Sequence, residues 1–405
     1  MTDRIVIIGG GLAAATAAEE LRTAGFTGSI RLLAGEPHHP YIRPPLSKAY
    51  LNGQDDRDSV FVHPADWYGE QDVVLSLGAR ADRIEDGRVV LADGEAVPFD
   101  RLLIATGAVP RRLNLPGSDA EGIHYLRTLD DSEALKAVLA EPGHRVVVVG
   151  AGWIGLELAA AAREAGQDVT VVAPETVPLA GPLGDELGTM FRELHEAHDV
   201  VFRLGTGVQG FEVADGRVTG VATEAGVLPA DVVIVGVGVA PSTELAQAAG
   251  LEIDNGILVD EHLHTSRPGI YAAGDVANAM HPVLGRRMRN EHWANAIAGG
   301  KVAGRSMAGQ DAVLDDIPYF YTDQYDLGME YSGYPPLTRD AEVVIRGDRA
   351  GRELIAFWVA GGRVVAGMNV NIWDVNEETQ RLIRDEVVVT AAQLADPSVE
   401  LSSLT

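Results

Sequence analysis

Cysteine is absent from this 405-residue chain, which removes disulfides, cysteine-ligated zinc, cysteine-held iron-sulfur clusters and thiol catalysis. Lysine is scarce, occurring only as Lys48, Lys136 and Lys301, so nearly all positive charge is arginine. Basic residues are themselves outnumbered, 32 against 59 acidic ones. The resulting formal charge of −27 disfavours nonspecific binding to nucleic acid or to an anionic membrane. No apolar run approaches the ~18 residues of a membrane span, and the first one begins at Ile5, with no signal-like segment ahead of it. The expectation is a cytoplasmic protein, a monomer or weak homodimer, that engages neither nucleic acid nor membrane. A composition of 46% hydrophobic and 22% charged residues in a chain of this length is that of a globular protein with two or three domains.

Residues 5–8 form a continuous apolar run, as expected of a strand buried on both faces. The run leads into Gly9-Gly10-Gly11 and then an alanine-rich stretch predicted to be helical. Gly9 suits a tight turn, Gly11 lets backbone approach a pyrophosphate, and the small Ala14 lets helix pack on strand. The helix N-terminus supplies NH donors and a favourable dipole. Glu36 follows the next apolar run at the distance of a carboxylate that bonds an adenosine ribose. Taken alone, this is also the pattern of a glycine-rich turn in an unrelated α/β protein. The pattern then recurs: four valines at 146–149 run into Gly150-Ala151-Gly152-Trp153-Ile154-Gly155 and a second alanine-rich segment. Two fingerprints in one chain predict two dinucleotide sites.

Pro40, Pro44 and Pro45 exclude regular helix until about Leu46 and present Arg43 and Lys48 on a stiff turn, either as ligand contacts or as exposed charges at a helix start. The run 102–105 ends at Thr106-Gly107, beyond a strand's carboxyl end, where ligands of α/β sheets lie. After the run 169–172 come Ala173 and Glu175, with no nearby arginine for a 2′-phosphate, which favours NADH over NADPH. Glu157 reads either as a favourable charge near a helix N-terminus or as a functional carboxylate. Residues 187–198 have helical spacing, with His195 and His198 expected to be exposed. Asp215-Gly216 and 224–226 read as turns of a small antiparallel segment. The run 231–235 is taken as a return to the first domain. The following glycines, Gly238 among them, suggest backbone approach to a ligand or a hinge. The run 270–273 is expected to lead through Gly274-Asp275 into a helix, with Asp275 as N-cap or as partner of a sugar or ribitol hydroxyl. Arg286, Arg287 and Arg289, followed by Lys301 and Arg305, are either a solvated face or a docking patch for an acidic protein. From about Pro318 the chain turns aromatic and strand-like, with runs at 343–346, 354–359 and 364–368 and a closing helix near 377–385.

The segments IVIIGGGLAAA, PYIRPPLSK, LLIATGA, VVVVGAGWIGLE, VGVGVAP, IYAAGDVA and NEHWANA occur in that order. Together they resemble the FAD-dependent ferredoxin reductases of oxygenase systems, the putidaredoxin reductase and aromatic dioxygenase reductase type within the glutathione-reductase-like family. The resemblance spans nearly the whole chain. It implies an α/β fold with two Rossmann-like dinucleotide-binding domains, one inserted in the other, plus a C-terminal α+β domain packed over the flavin. The expected divisions are 1–110 with 232–315 for FAD, 111–231 for NAD(H), and 316–405. By resemblance Gly9, Gly11, Ala14, Glu36, Arg43, Thr106, Gly107 and Asp275 hold FAD, and Gly150, Gly152, Ile154 and Gly155 hold the nicotinamide nucleotide. Lys48 and Glu157 pair near the reactive flavin nitrogen, and Trp293 lies close to the isoalloxazine. No metal is expected. The implied activity passes electrons from NADH through FAD to a small acidic 2Fe-2S ferredoxin that feeds a cytochrome P450 or Rieske-type oxygenase.

Two features depart from the family pattern. Phe320-Tyr321-Thr322-Asp323-Gln324 stands where the family often has FWSDQ, and Ser242 follows Pro241 where asparagine is common. Competing readings are a flavin-dependent reductase of a small acceptor, similar to monodehydroascorbate reductase, and an interaction protein resembling apoptosis-inducing factor. The latter would form a long-lived charge-transfer complex and change its oligomeric state, whereas a reductase turns over repeatedly with a one-electron acceptor. A thiol-dependent disulfide or peroxide reductase is excluded by the missing cysteines.

Overall fold

The first apolar run becomes the strand Arg4–Ile8, with its last four residues buried. A strand covered on both faces needs no polar alternation, and this one is central in a parallel sheet ordered Ile270–Ala272, Arg101–Ile104, Arg4–Ile8, Ser29–Leu33, Val73–Ser76. The computed structural model describes residues 3–405. By contact the chain divides into two compact units, one comprising the residues through Ile42 with Arg57–Val109 and Val239–Pro318, the other Arg43–Asp56, Pro110–Gly238 and Tyr319–Thr405.

In the first unit the glycine loop opens into the helix Leu12–Thr23. Its alanines 13, 14, 15, 17 and 18 are buried, because a second helix, Trp293–Met307, lies against them. That approach depends on small residues. A Cβ on Gly300 would lie 2.7 Å from the Ala13 carbonyl oxygen, and one on Gly304 would lie 2.8 Å from Glu20 Cβ. Arg305 closes the far end by pairing with Glu20 at 2.7 Å.

The second unit repeats the plan with the order Val201–Leu204, Asp168–Ala173, Arg145–Val149, Val232–Val235, Ile123–Tyr125, all parallel. The run 231–235 was expected to return to the first domain. Instead Val232–Val235 pairs with Arg145–Val149, because it is the apolar strand that covers that strand's other edge. The antiparallel turns at 215–216 and 224–226 join Val208–Ala214, Arg217–Thr223 and Gly226–Pro229.

The C-terminal region is a five-stranded antiparallel sheet ordered Tyr319–Gln324, Leu327–Gly333, Arg363–Val370, Glu353–Ala360, Glu342–Asp348. Leu327, Met329, Tyr331, Leu354, Trp358 and Met368 of this sheet share a core with Leu183, Leu187, Met190, Phe191 and Leu194 of the helix Ala180–Glu196. This shared core places the C-terminal sheet in the second unit. The fold class is the expected α/β arrangement of two parallel glycine-loop sheets with an added antiparallel C-terminal sheet.

Three local expectations change. The helix expected over 187–198 begins earlier, at Ala180, across a kink where Gly184 has φ of 79°. After Gly274-Asp275 there is no α-helix but one 3-10 turn, Gly274–Val276, and then the strand Ala277–His281, which pairs with Ile257–Val259. His195 is fully buried rather than exposed, because it faces the C-terminal sheet and bonds Gln324.

Replacing Gly304 by valine is expected to lower stability by about 2 kcal/mol through overpacking between the two helices. Gly181→Ala, where a Cβ would meet nothing within 4 Å, is expected to be close to neutral. Urea midpoints for the two variants check the pair.

Candidate functional site

Gly9 has φ of 137°, and a Cβ there would lie 2.1 Å from the Ala105 carbonyl oxygen, so only glycine fits between the strands Arg4–Ile8 and Arg101–Ile104. This is where the sheet order reverses around its central strand, the place where open α/β sheets leave a crevice for ligands. Gly11 is the N-cap of the helix Leu12–Thr23 and supplies no side-chain acceptor to its first turn, so amide donors and helix dipole face the crevice without a protein cap. Ala14, buried in that first turn, lies at the helix-packing position of the fingerprint. Glu36, beyond the next strand, accepts a hydrogen bond from Tyr41 Oη at 2.6 Å. Thr106 Oγ1 donates to the Ser242 carbonyl at 2.8 Å, which joins its loop to the one leaving Val239–Pro241, and Gly107 beside it has φ of 70°. Asp275 is half-buried in the turn after Ile270–Ala272. It is not the N-cap, since that position is Ala273. Trp293 opens the helix Trp293–Met307, with much of its ring exposed.

The second unit has the same device with tighter packing. A Cβ on Gly150 would lie 2.4 Å from the Gly236 carbonyl oxygen, and one on Gly155 would lie 2.2 Å from the Gly150 carbonyl oxygen. These two glycines serve strand, turn and helix packing. At Gly152, N-cap of the helix Trp153–Glu164, a Cβ would meet nothing within 4 Å, so the protein's own packing does not require glycine there. Open space above an uncapped helix N-terminus fits an incoming pyrophosphate. Ile154 is 45% exposed at the same mouth. Glu175 is exposed just past Asp168–Ala173. Gly238 bonds through its carbonyl to Arg111 N at 2.9 Å. Both loops therefore fit dinucleotides.

Arg43 and Lys48 lie in the second unit. Leu46 carbonyl accepts from Ser132, Tyr50 bonds Glu133, Lys136 donates to the Tyr50 carbonyl, and Asn52 bonds Glu164. Arg43 Nε donates to the Arg127 carbonyl at 3.2 Å. Docked in this way, Lys48 reaches Glu157 with Nζ 2.8 Å from Oε1. The pair is well shielded, with the side chains 14% and 5% exposed.

Two hydroxyls complete the carboxylate's surroundings, and neither was singled out from the sequence as a functional residue. Ser47 donates to Glu157 Oε2 at 2.5 Å, and Thr322 donates to Oε1 at 2.6 Å. Ser47 could have been found, since it adjoins Lys48 in PPLSK. Thr322 was visible only as part of a departure from a motif. Beside the pair, Lys48 Nζ lies 5.7 Å from the Tyr321 ring centre. Burial raises the Asp323 pKa, against an opposing contribution from Lys48.

The arginine-rich stretch is partly bonded within the chain. Arg286 and Arg287 are both exposed on the strand Arg286–Met288. Arg287 Nη1 donates to the carbonyls of Val259 and Asn278, and Arg289 is paired with Glu291. No group among the described residues has three or more side chains arranged to hold a metal ion, and no described helix is long and apolar enough to cross a membrane.

With this geometry in place, residues 3–300 match the model of the pyridine nucleotide-disulphide oxidoreductases, and residues 319–405 match the reductase C-terminal model. The chain belongs to the pyridine nucleotide-disulphide oxidoreductase family. It is thus an oxidoreductase of a family that couples FAD to NAD(P)H. It is 40% identical to rhodocoxin reductase of Rhodococcus erythropolis, over 98% of this chain and 93% of that one. It is 39% identical to the ferredoxin--NAD(+) reductase component of the anthranilate 1,2-dioxygenase system of Burkholderia cepacia, over 99% of each. Among solved structures it is similar to the covalent putidaredoxin reductase-putidaredoxin complex, with a TM-score of 0.95, 36% identity and coverage of 99% and 97%. The family's name includes disulphide chemistry, yet this member has no cysteine with which to carry it out.

Burial lowers the His195 pKa to about 4, so the imidazole is neutral in the folded chain. Its unfolded value is near 6.5, so between these limits the unfolded state binds more protons. Stability from this group is present above about pH 6.5 and is lost as pH falls through about 4, by up to about 3 kcal/mol. His195→Gln is expected to flatten that part of the pH-stability curve measured by urea unfolding. An unchanged slope would contradict the assignment.

Proposed function

We propose that this protein carries electrons from NADH through FAD to a 2Fe-2S ferredoxin serving a cytochrome P450 or Rieske-type oxygenase. The observation that carries the reading is the shielded Lys48–Glu157 pair in a chain with two dinucleotide loops and no cysteine. A family member without thiols has no disulfide relay of its own and must hand electrons to an external acceptor. The relatives named as ferredoxin and rhodocoxin reductases support a small redox protein in that place. The proposed division assigns FAD to 1–110 with 232–315, apart from the strand Val232–Val235. The nicotinamide nucleotide falls to 111–231 with that strand, and partner contact to 316–405 and the Arg286 surface. The location is proposed to be the cytoplasm.

FAD, when bound, accepts a hydride and releases electrons singly, and the chain's residues supply placement and electrostatics. Gly9, Gly11, Ala14, Glu36, Thr106, Gly107 and Asp275, with Arg43, are assigned to FAD, and Trp293 to a position beside its ring system. Gly150, Gly152, Ile154, Gly155, Glu175 and Gly238 are assigned to NADH. Lys48 provides a positive charge that Glu157 holds in place. Because the carboxylate accepts from two hydroxyls as well, the ammonium is oriented before any ligand arrives, which is what makes fixed charge effective in a dry site. The chain need not supply a general base, because hydride transfer from a nicotinamide moves no proton through a side chain.

Anaerobic stopped-flow tests the reading. NADH is expected to bleach the flavin faster than NADPH does, and a 2Fe-2S ferredoxin to restore the absorbance rapidly. Bleaching without reoxidation by ferredoxin would move the assignment to a small-molecule acceptor. Arg286→Glu is expected to weaken ferredoxin reduction about tenfold, a loss on the scale of one interfacial charge, and to leave ferricyanide reduction intact. Equal loss with both acceptors would remove Arg286 from the docking surface. Glu175→Arg is expected to shift the NADH/NADPH ratio of kcat/KM toward NADPH by about tenfold, since a guanidinium there can receive the 2′-phosphate.

A further inference from the structure

A chain of hydrogen bonds leads away from Glu157 to side chains that the chemistry above does not use. Thr322 Oγ1 lies 2.6 Å from Glu157 Oε1, and Gln324 Nε2 lies 3.2 Å from Thr322 Oγ1. Beyond them His195 Nε2 lies 2.8 Å from Gln324 Oε1, and Tyr325 Oη lies 3.5 Å from His195 Nδ1. Thr322, Gln324 and His195 are all buried. Alternation along Tyr319–Gln324 turns 322 and 324 inward while 321 and 323 face outward.

The direction of every bond follows from one end. A carboxylate paired with an ammonium only accepts, so Thr322 spends its single hydroxyl proton on Glu157. Thr322 can then only accept from Gln324, which must turn its NH2 group toward it. The amide oxygen is left facing His195, whose Nε2 must carry the ring proton, with Nδ1 as acceptor toward Tyr325. Burial keeps the imidazole neutral, as this one-proton arrangement requires. The groups in direct contact with Glu157 are Lys48, Ser47 and Thr322, and the outward-facing Tyr321 and Asp323 are close enough to interact with its charge. Those facing His195 are Tyr325 and His198, the latter stacked on the Tyr325 ring at 3.7 Å.

We propose that His195, Gln324 and Thr322 are positioning residues, a one-way relay of donors that fixes the Glu157 carboxylate and through it Lys48. Apolar side chains of similar volume would fill this part of the core without the desolvation of three polar groups. A fully satisfied polar chain contributes a single allowed orientation instead. The relay itself is a property of the folded chain. Its effect on electron flow rests on the reductase reading.

The test begins with ¹⁵N–¹H long-range correlation NMR on the FAD-loaded full chain at pH 7, with His195 assigned by comparison with His195→Gln. The expected result is a single neutral Nε2–H tautomer, and an Nδ1–H tautomer or an imidazolium would overturn the relay. Thr322→Val and Gln324→Met are then expected to slow flavin bleaching by NADH about tenfold at unchanged flavin content, the scale of one hydrogen bond to a charged group. Thr322→Ser, which keeps the hydroxyl, is expected to retain the native rate. Native rates in Thr322→Val and Gln324→Met, or a serine variant as slow as the valine one, would reject the positioning role. Failure of the reductase reading would appear elsewhere, as wild-type protein that ferredoxin does not reoxidise.

Discussion

Glu157 is a carboxylate taken almost wholly out of water, and much of the second unit is arranged to make that tolerable. A buried charge without partners costs several kcal/mol, and a single counter-ion rarely offsets the loss of hydration. Here three donors meet the two oxygens: an ammonium and a hydroxyl at Oε1, and a second hydroxyl at Oε2. They come from two stretches distant from the helix Trp153–Glu164, namely the proline turn Pro44–Ser47 with Lys48 and the strand Tyr319–Gln324. Satisfying one carboxylate thus ties residues 43–56 and the C-terminal sheet to the glycine-loop sheet around Arg145–Val149. These bonds all lie within the second unit, beside the apolar core that the C-terminal sheet shares with the helix Ala180–Glu196.

The two glycine loops solve one problem with different tolerances. In the first, Gly9 admits the Ala105 carbonyl, and Ala14 is small enough for the helix to pack. In the second, Gly155 replaces the alanine and packs against the Gly150 carbonyl, so helix and turn approach more closely. Ile154 is left largely exposed beside Gly152. Placing an apolar side chain at the rim of an uncapped helix N-terminus suits a ligand that has a phosphate for the amides and a flat ring for the rim.

The strands around both loops were legible in the sequence because parallel, doubly covered strands read as unbroken apolar runs, and the glycines carry a steric signature. Lys48 and Glu157 stood out for a similar reason, one as a rare lysine on a proline turn and the other as a carboxylate just inside a glycine-loop helix. What the sequence concealed depends on tertiary contact. The run 231–235 has the apolar character of either sheet, and only pairing with 146–149 decides which it joins. His195 lies on a helix whose apolar face was visible, yet its burial comes from a sheet more than a hundred residues later. Thr322 and Gln324 look like ordinary inward positions of a strand until Glu157 and His195 are brought beside them. The 3-10 turn after Gly274 gives way to a strand because 277–281 finds an edge to pair with at 257–259, which no local propensity announces.

Electrostatics link the site to the proposed acceptor in a way the composition alone misstates. The chain carries −27 overall, so an acidic partner is repelled at distances where individual charges merge. At physiological ionic strength that field decays over about 8 Å, leaving recognition to charges close to the contact. Within the arginine-rich stretch Arg287 is committed to carbonyl oxygens, Arg289 to Glu291 and Arg305 to Glu20. Arg287 thereby ties its strand to Ile257–Val259 and Ala277–His281 while staying exposed, and Arg305 joins the helices Leu12–Thr23 and Trp293–Met307. Under the proposed reading, a partner docking at Arg286 is selected by local geometry more than by long-range steering. In that reading selectivity depends on how rigidly Arg286–Met288 is held, and the bonds from Arg287 to the Val259 and Asn278 carbonyls contribute to that rigidity.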